Sequence, residues 1–141
     1  MVNDCIASFH SLPNFANISF RKDIQPGIEF HSEWTLLNAI LQNLIENGIK
    51  YSRKESPYVQ IVVRHESPWI IIEVEDNGQG IPGKHQSKIF EMFYRASQDA
   101  NGTGLGLYIL KRSVDKLNGV IEMKSEVNVG STFTVKLPAP E

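Results

Sequence analysis

The amino-acid sequence predicts a two-layer α/β sandwich, in which one sheet carries its helices on one face. The predicted elements follow the order strands, helix, strands, helices, strands along the chain. The long predicted helices each have an apolar side, and the central strands alternate between apolar and polar residues. One sheet face covered by helices buries both kinds of apolar surface in a single core.

The N-terminal region is predicted to contain a connector and two strands. Residues 1–15 show weak periodicity, so we expect a connector or the end of a helix from an upstream domain, with the domain itself spanning 16–141. Residues 17–24 are predicted to form a strand, and a short second strand follows at 28–31. Pro26–Gly27 supplies the turn between them.

A long helix is predicted from an N-cap at Ser32 to about Ser52. At about 100° per residue, its side chains separate into three groups. The core-facing side consists of Leu37, Leu41, Leu44 and Gly48. The solvent side holds Gln42 and Glu46. A third stripe is polar and consists of Asn43, Asn47 and Lys50, with Tyr51 at its edge.

Two strands at 58–64 and 69–76 are predicted to form an antiparallel hairpin around a turn at 66–68. Alternation places on one face the residues Ile70, Ile72, Val74 and Asp76. Asp76 therefore ends a buried apolar row, where a carboxylate requires a partner.

The C-terminal part is predicted to form a helix and two closing strands. The helix has apolar residues at core spacing, namely Leu107, Leu110, Val114 and Leu117. Gly119 is predicted as its C′ residue. The strands lie at 120–125 and 132–137, with a turn at Gly130, and Pro138 ends the second strand.

Composition indicates one globular domain and gives no general support for nucleic-acid or membrane binding, while a local basic patch stays open. The chain has 141 residues, of which 41% are hydrophobic and 21% charged, with a formal net charge of -2. This charge gives no general attraction to nucleic acid or to anionic membranes. The single cysteine, Cys5, cannot form an internal disulfide and is expected to pack without reacting, which fits a reducing compartment. No run approaches the roughly 18 apolar residues of a membrane span.

The segment 76–82, Asp-Asn-Gly-Gln-Gly-Ile-Pro, is a candidate site for a base. A carboxylate at a strand end can accept a hydrogen bond from an adenine amino group, and glycines let the backbone approach base and sugar. Residues 78–83 also fit the dinucleotide pattern G-x-G-x-x-G. The preceding strand belongs to a hairpin and no βαβ unit follows, which argues against that site. A plain glycine turn is the open alternative.

The segment 101–107, Asn-Gly-Thr-Gly-Leu-Gly-Leu, is a candidate phosphate site because it leads into a helix. Free N–H groups and the helix dipole attract an anion at such a start. No Gly-Lys-Ser/Thr follows, so the segment is not a Walker loop. A flexible linker is the open alternative.

Two further patterns carry candidate residues. Amide oxygens of the Asn43 and Asn47 stripe can bind Mg²⁺, and Lys50 can meet the same phosphates, with a solvated helix face as the alternative. A short helix is predicted at 84–94, in which phenylalanines three residues apart are expected to anchor the core. The small, polar residues 96–101 after it suit a mobile segment.

Together these motifs resemble the catalytic domain of sensor histidine kinases, within the wider ATPase group that includes gyrase and a heat-shock chaperone. Residues 43–52 are similar to the family's N box and 76–81 to its first glycine box. Residues 90–95 are similar to its F box and 102–107 to its second glycine box. Residues 130–133 resemble its closing Gly-Thr/Ser-x-Phe strand. The resemblance covers roughly 17–138 and implies the Bergerat fold, a mixed sheet of about five strands under three helices.

The resemblance also implies ATP and Mg²⁺ as ligands and assigns roles to residues. Asn47 would be the main Mg²⁺ ligand, assisted by Asn43, and Lys50 would contact phosphate. The remaining nucleotide-binding residues implied are Tyr51, Asp76, Gly78, Gly80, Ile81, Phe93, Arg95, Gly102, Thr103, Gly104, Leu105, Gly106 and Thr132. Residues 96–101 would form a lid over the ATP.

One feature refines the function that the resemblance implies, and one residue departs from the family's pattern. Hydrolytic members of the group place a glutamate base where this chain has Asn43, and an amide cannot take a proton from water. Transfer to another acceptor is therefore favoured, with a hydrolytic ATPase or a non-catalytic nucleotide-binding module as alternatives. Gly48 replaces the usual alanine, which costs about 0.5–1 kcal/mol in a helix.

The acceptor is expected outside this chain. None of its histidines, which are His10, His31, His65 and His85, has the His-Glu/Asp setting of a phosphoacceptor helix. The resemblance therefore implies two partners, a phosphoacceptor domain in the parent protein and a downstream response regulator. It implies a homodimeric parent, a monomeric isolated domain and a cytoplasmic location, and leaves an inner-membrane anchor of the parent open.

Overall fold

The computed structural model describes residues 1–28, 34–92, 94 and 105–139. Its elements in chain order are α1 (Val2–Ala7), a 3-10 turn (Phe15–Asn17), β1 (Ser19–Ile24), α2 (Trp34–Lys50), β2 (Tyr58–Glu66), β3 (Trp69–Asp76), α3 (Gly83–Gln86), α4 (Gly106–Lys116), β4 (Val120–Glu126) and β5 (Gly130–Pro138). The strands form one mixed sheet of five, which confirms the predicted α/β architecture.

The sheet order is β1-β2-β3-β5-β4, with β3 in the centre. β1 runs parallel to β2, and the other pairs are antiparallel. The hairpin predicted from the alternating strands is confirmed, and its register pairs Val59 with Asp76. The next pair joins Asp76 to Ser131 at the start of β5. The end of β3 therefore lies beside the starts of β2 and β5, at one end of the sheet.

The core lies between one sheet face and the helices α2 and α4. The predicted core side of α2 is confirmed, because Leu37, Leu41, Leu44 and Gly48 are all buried. The largest side chain in the core is Phe133 of β5, which is 1% exposed. At roughly 25 cal/mol per Å² of buried apolar surface, this layer is the main source of stability.

The N-terminal segment belongs to the same core. Val2, Cys5 and Ile6 of α1 are buried in the cluster that also contains the inner residues of α2. Burial raises the pKa of the Cys5 thiol to about 11, so the thiol stays protonated and unreactive at neutral pH. The expected connection of residues 1–15 to an upstream domain stays a prediction.

The helix predicted at 84–94 is much shorter than expected. α3 covers four residues, and successive turns follow it, with Lys88 N–H donating to His85 O and Glu91 N–H to Lys88 O. The turns bring Phe90 edge-on against Phe133, with ring centroids 6.3 Å apart. Packing against the sheet thus replaces the continuous helix.

The C-terminal end of α4 has its left-handed residue one position earlier than predicted. Asn118, with φ 59°, occupies C′, and Gly119 occupies C″. Asn118 N–H donates to Asp115 O and Gly119 N–H to Val114 O, which is a Schellman motif. Gly119 is required for a different reason, since a Cβ there would stand 2.6 Å from Lys136 O.

Parts of the predicted N-terminal half lie outside the described residues. The strand predicted at 28–31 begins with Ile28, which lies in no strand, and its other residues are not described, nor is Ser32. Within the described residues, no helix combines the length and the apolar character needed to cross a bilayer.

Candidate functional site

A pocket of about 410 Å³ opens at the end of the sheet where β3 stops. Its size falls within the range of small-molecule sites, roughly 300–1,000 Å³. The described residues that line it are Asn47, Tyr51, Asp76, Gln79, Gly80, Ile81, Pro82, Ile89, Tyr94, Leu107, Val127, Asn128 and Ser131. The pocket therefore brings together the end of α2, the loop after β3, the first turn of α4 and the β4–β5 turn.

Asp76 is the buried charge of this pocket, with 6% of its surface exposed. Burial raises the pKa of its carboxyl to about 6, an effect that the backbone amides of Gly78 and Ser131 oppose and the charge of Glu75 reinforces. The Gly78 N–H donates to Asp76 Oδ1 over 2.9 Å. Above this pKa the carboxylate is an acceptor in poorly hydrated surroundings, so it binds a ligand donor strongly.

The glycines after Asp76 are required by close backbone contacts. A Cβ at Gly78 would stand 2.2 Å from Tyr51 O. Gly80 has φ 72°, and a Cβ there would stand 2.1 Å from Glu126 O. No other residue fits these two places without moving the backbone. The path of the loop is therefore determined by its close backbone contacts with Tyr51 and Glu126.

Backbone hydrogen bonds hold the middle of this loop on both sides. Gln79 N–H donates to Tyr51 O at the end of α2, over 3.0 Å. Asn128 N–H in the β4–β5 turn donates to Gln79 O over 2.8 Å. The two elements on either side of the pocket thus position the loop directly.

Side chains hold the far end of the loop. Ile81 N–H donates to Ser125 Oγ over 2.7 Å. The Gln86 amide donates to Ile81 O over 2.9 Å and to Ser125 O over 3.2 Å. Sequence reasoning missed Ser125, Gln86 and Ser131. Ser125 and Gln86 stand in none of the motifs, and within the motif at 130–133 the resemblance assigns the role to Thr132 instead of Ser131.

Thr132 does not lie in this pocket, in contrast to the expectation from the resemblance. The register pairs Thr132 with Glu75, which places both on the opposite face of the sheet. Ser131 pairs with Asp76 and lines the pocket instead. The physical reason is the two-residue period of a strand. Neighbouring residues of a strand point to opposite faces of the sheet, so an assignment that is one residue off places the side chain on the wrong face.

The three residues of the polar stripe of α2 lie in three different environments. Asn47 lines the pocket. Asn43 donates from its amide nitrogen to Ala39 O over 2.7 Å, and its Oδ1 is 3.2 Å from where a Cβ of Gly106 would stand. Asn43 thus turns its acceptor atom toward the start of α4. Lys50 forms an ion pair with Glu46, with 2.7 Å between Nζ and Oε1.

These amide oxygens suit a hard cation that is also held by ligand phosphates. Among the residues the structure describes, no three or more His, Cys, Asp or Glu side chains cluster so that they could hold a metal. A metal in this pocket would therefore rely on Asn47, with Asn43 nearby, and on oxygens brought by the ligand.

The start of α4 also lines the pocket, through Leu107. Leu105 is its N-cap and makes no side-chain capping bond, and Gly106 opens the first turn. The N–H groups of a first helical turn have no partner within the helix, so they can bind an anion. Leu107, Ile89 and Tyr94 give the pocket apolar surface. The other predicted residues, Phe93, Arg95, Gly102, Thr103 and Gly104, and the segment 96–101 lie outside the described residues.

The sequence matches a family model and several curated proteins. The model described as histidine kinase-, DNA gyrase B- and HSP90-like ATPase matches residues 33–141. The sensor-like histidine kinase SenX3 of Mycobacterium tuberculosis is 36% identical over 143 residues, covering 99% of this chain and 35% of SenX3. The sensor protein SrrB of Staphylococcus aureus is 35% identical over 109 residues, covering 74% of this chain and 18% of SrrB. The chain thus spans about a third or less of these relatives.

Solved structures share the fold. The mycobacterial sensor histidine kinase MprB superposes with a TM-score of 0.83 at 23% identity, covering 98% of this chain and 93% of that chain. The catalytic domain of histidine kinase ThkA gives a TM-score of 0.83 at 24% identity, covering 98% and 91%. The five-stranded sheet and its helical layer are therefore those of solved histidine kinase domains.

Proposed function

Since the chain belongs to the family of histidine kinase-, DNA gyrase B- and HSP90-like ATPases, we propose that it binds Mg·ATP and transfers the γ-phosphoryl group to a histidine on a separate dimerisation domain. Membership implies use of a nucleotide, and the named relatives are sensor kinases, which supports the kinase class. The histidine acceptor, the metal and the residue roles are the parts that the proposal adds.

The observation that carries the proposal is the convergence of three features on one pocket. The Asp76 carboxylate, the Asn47 amide and the first turn of α4 at Leu107 all line the same cavity of about 410 Å³. In the proposed complex, Asp76 accepts a hydrogen bond from the adenine amino group and Gly80 lies beside the base. The phosphates extend toward the free N–H groups of α4.

Asn47 would be the main metal ligand and Asn43 its neighbour. When bound, Mg²⁺ would neutralise phosphate charge and orient the phosphoryl group. Lys50 is available to the phosphates once its partly exposed ion pair with Glu46 breaks, and ion pairs near the surface are worth only about 0–1 kcal/mol. The proposed binding residues include Tyr51, Gly78 and Ile81, and they exclude Thr132 because it lies on the opposite face of the sheet.

Phosphotransfer is favoured over hydrolysis by the chemistry of Asn43. Its amide nitrogen is bound to Ala39 O and its oxygen faces α4, and neither atom can accept a proton from water. A neutral imidazole is itself a nucleophile, so a histidine acceptor needs no base from this chain. The contribution of the protein is then positioning and charge stabilisation.

The parent protein is proposed to be a homodimer that passes the phosphoryl group to a response regulator. The isolated domain is proposed to be monomeric and to act in the cytoplasm, whether or not its parent has an inner-membrane anchor.

The test is phosphoryl transfer from γ-labelled ATP with Mg²⁺ to the native upstream helices of the parent protein. The expected result is label on those helices that is labile to acid and stable to base, as a phosphohistidine is. Fast release of inorganic phosphate by the isolated domain, with no label on the helices, would support a hydrolytic ATPase instead. Tight ATP binding with neither reaction would support a non-catalytic module.

A further inference from the structure

Ser125 of β4 links the loop after β3 to the wall of the pocket. Its hydroxyl oxygen lies 2.7 Å from Ile81 N, 3.1 Å from Gly130 O and 2.7 Å from Ser131 Oγ. Ser125 does not line the pocket itself, whereas Ser131 does. The hydroxyl of Ser125 is therefore placed behind a residue that contacts the ligand space.

The three contacts determine which serine donates to the other. A serine hydroxyl has one proton and two lone pairs. Ile81 N–H can only donate, so it occupies one lone pair of Ser125, and Gly130 O can only accept, so it takes the proton. All three contacts are then satisfied only when Ser131 donates its own proton to Ser125. Buried polar groups are nearly always satisfied in this way.

Ser131 is thereby left as an acceptor on the pocket side. It is 6% exposed, and it stands directly across the β3–β5 pair from Asp76, which is also 6% exposed. The ionised carboxylate is an acceptor as well. Two neighbouring acceptors at this end of the pocket match a group with two N–H bonds and disfavour a carbonyl oxygen.

We propose that Ser125 is a positioning residue that orients the Ser131 hydroxyl and so makes the pocket select a 6-amino purine over a 6-oxo purine. The inference rests on the proposed function, because it concerns how the same site reads its nucleotide. The Ser131 hydroxyl contacts the substituent at position 6 of the purine either directly or through one water molecule. A site built for a donor rejects an analogue that presents an acceptor, because buried groups are left unpaired.

The experiment measures the dissociation constants of Mg·ATP and Mg·GTP for the wild-type domain and its variants by titration calorimetry. Ser125→Ala removes the acceptor for the Ser131 proton, so Ser131 can rotate and donate. We expect the preference for ATP over GTP to fall about tenfold, which corresponds to one hydrogen bond. Ser125→Thr keeps a hydroxyl and is expected to keep the preference.

Ser113→Ala is the matched control, because it removes another buried hydroxyl away from the pocket. Ser113 is 5% exposed and donates to Ile109 O within α4 over 2.8 Å. This variant should keep the preference for ATP. Circular dichroism of each variant verifies that the fold is retained.

A double-mutant comparison separates orientation from simple loop anchoring. Ser131→Ala should lower the preference, and adding Ser125→Ala to it should change the ratio no further. Equal weakening of both nucleotides by Ser125→Ala, or effects of the two substitutions that multiply, would overturn the inference. The wild-type domain tests the proposed function separately. If it does not bind ATP at all, both the proposed function and the role of Ser125 are wrong. If it binds ATP and Ser125→Ala leaves the preference over GTP unchanged, only the role of Ser125 is wrong.

Discussion

Replacing Asp76 by asparagine should stabilise the fold at neutral pH while it weakens nucleotide binding. Burial raises the pKa of this carboxyl from 3.8 to about 6, so the folded state holds the proton more tightly than the unfolded chain. The stability that this proton contributes is fully present below pH 3.8 and is lost as the pH rises through about 6. A carboxyl pKa raised from 3.8 to about 6 costs the wild-type fold about 3 kcal/mol at pH 8.

The asparagine amide avoids this cost but introduces a smaller one. Its oxygen can still accept from Gly78 N–H, while its NH₂ group meets the Ser131 backbone amide, another donor. That mismatch costs about 1–2 kcal/mol. We therefore expect the Asp76→Asn variant to be about 1–2 kcal/mol more stable than wild type at pH 8, with no advantage near pH 4.5.

The assay is urea unfolding followed by far-ultraviolet circular dichroism at several pH values. The difference in unfolding free energy between variant and wild type should change by about 2 kcal/mol between pH 4.5 and pH 8. Glu73→Gln is the control for losing one negative charge, because Glu73 lies on the same strand but on the opposite face. A difference for Asp76→Asn that stays constant across this range would refute the argument from burial.

The same variant should bind ATP about 10- to 100-fold more weakly, the value of a hydrogen bond to a charged acceptor. Titration calorimetry at pH 8 measures it. If Asp76→Asn raises the unfolding free energy and lowers the affinity for ATP, then Asp76 serves ligand binding and destabilises the fold.

Asn47→Ala should abolish Mg²⁺-dependent labelling of the acceptor helices. The control Asn17→Ala, which changes an exposed asparagine, should leave the labelling intact. Normal labelling by Asn47→Ala would contradict the metal role of Asn47. Gly80→Ala places a Cβ 2.1 Å from Glu126 O at φ 72°, so the loop must move, and calorimetry should show at least a tenfold loss of ATP affinity without unfolding. Gly48→Ala gains about 0.5–1 kcal/mol of helix propensity but brings its Cβ within 3.1 Å of a Val59 methyl group. The two effects should leave stability within about 0.5 kcal/mol by urea unfolding, and a loss above about 2 kcal/mol would show that the contact cannot relax.

The local patterns predicted the central elements well. The 3.6-residue period of α2 and the two-residue period of β3 fixed which side chains face the core, including Asp76 at the end of its row. Such periods depend on each element alone. The parallel pairing of β1 with β2 depends on distant parts of the chain, and no local pattern contains it.

The errors at the site come from tertiary contacts that act on single residues. Thr132 was predicted where Ser131 stands, because a motif match does not give the face of a strand, whereas the pairing of Asp76 with Ser131 does. The phosphate contact of Lys50 stays a prediction, although in this structure Lys50 pairs with Glu46, one turn away on the same helix. The predicted helix at 84–94 gave way to turns because Phe90 packs on the sheet.

The loop after β3 is anchored at Gln79 through its main chain, while the Gln79 side chain is exposed at the pocket rim. An anchor made of peptide groups is the same for any amino acid except proline, which lacks the N–H, so this position can vary without moving the floor of the pocket. A domain with this loop can therefore keep the floor of its pocket while its edge changes from one sequence to another. A synthetic ligand that reaches this edge would have a basis for distinguishing one such domain from another.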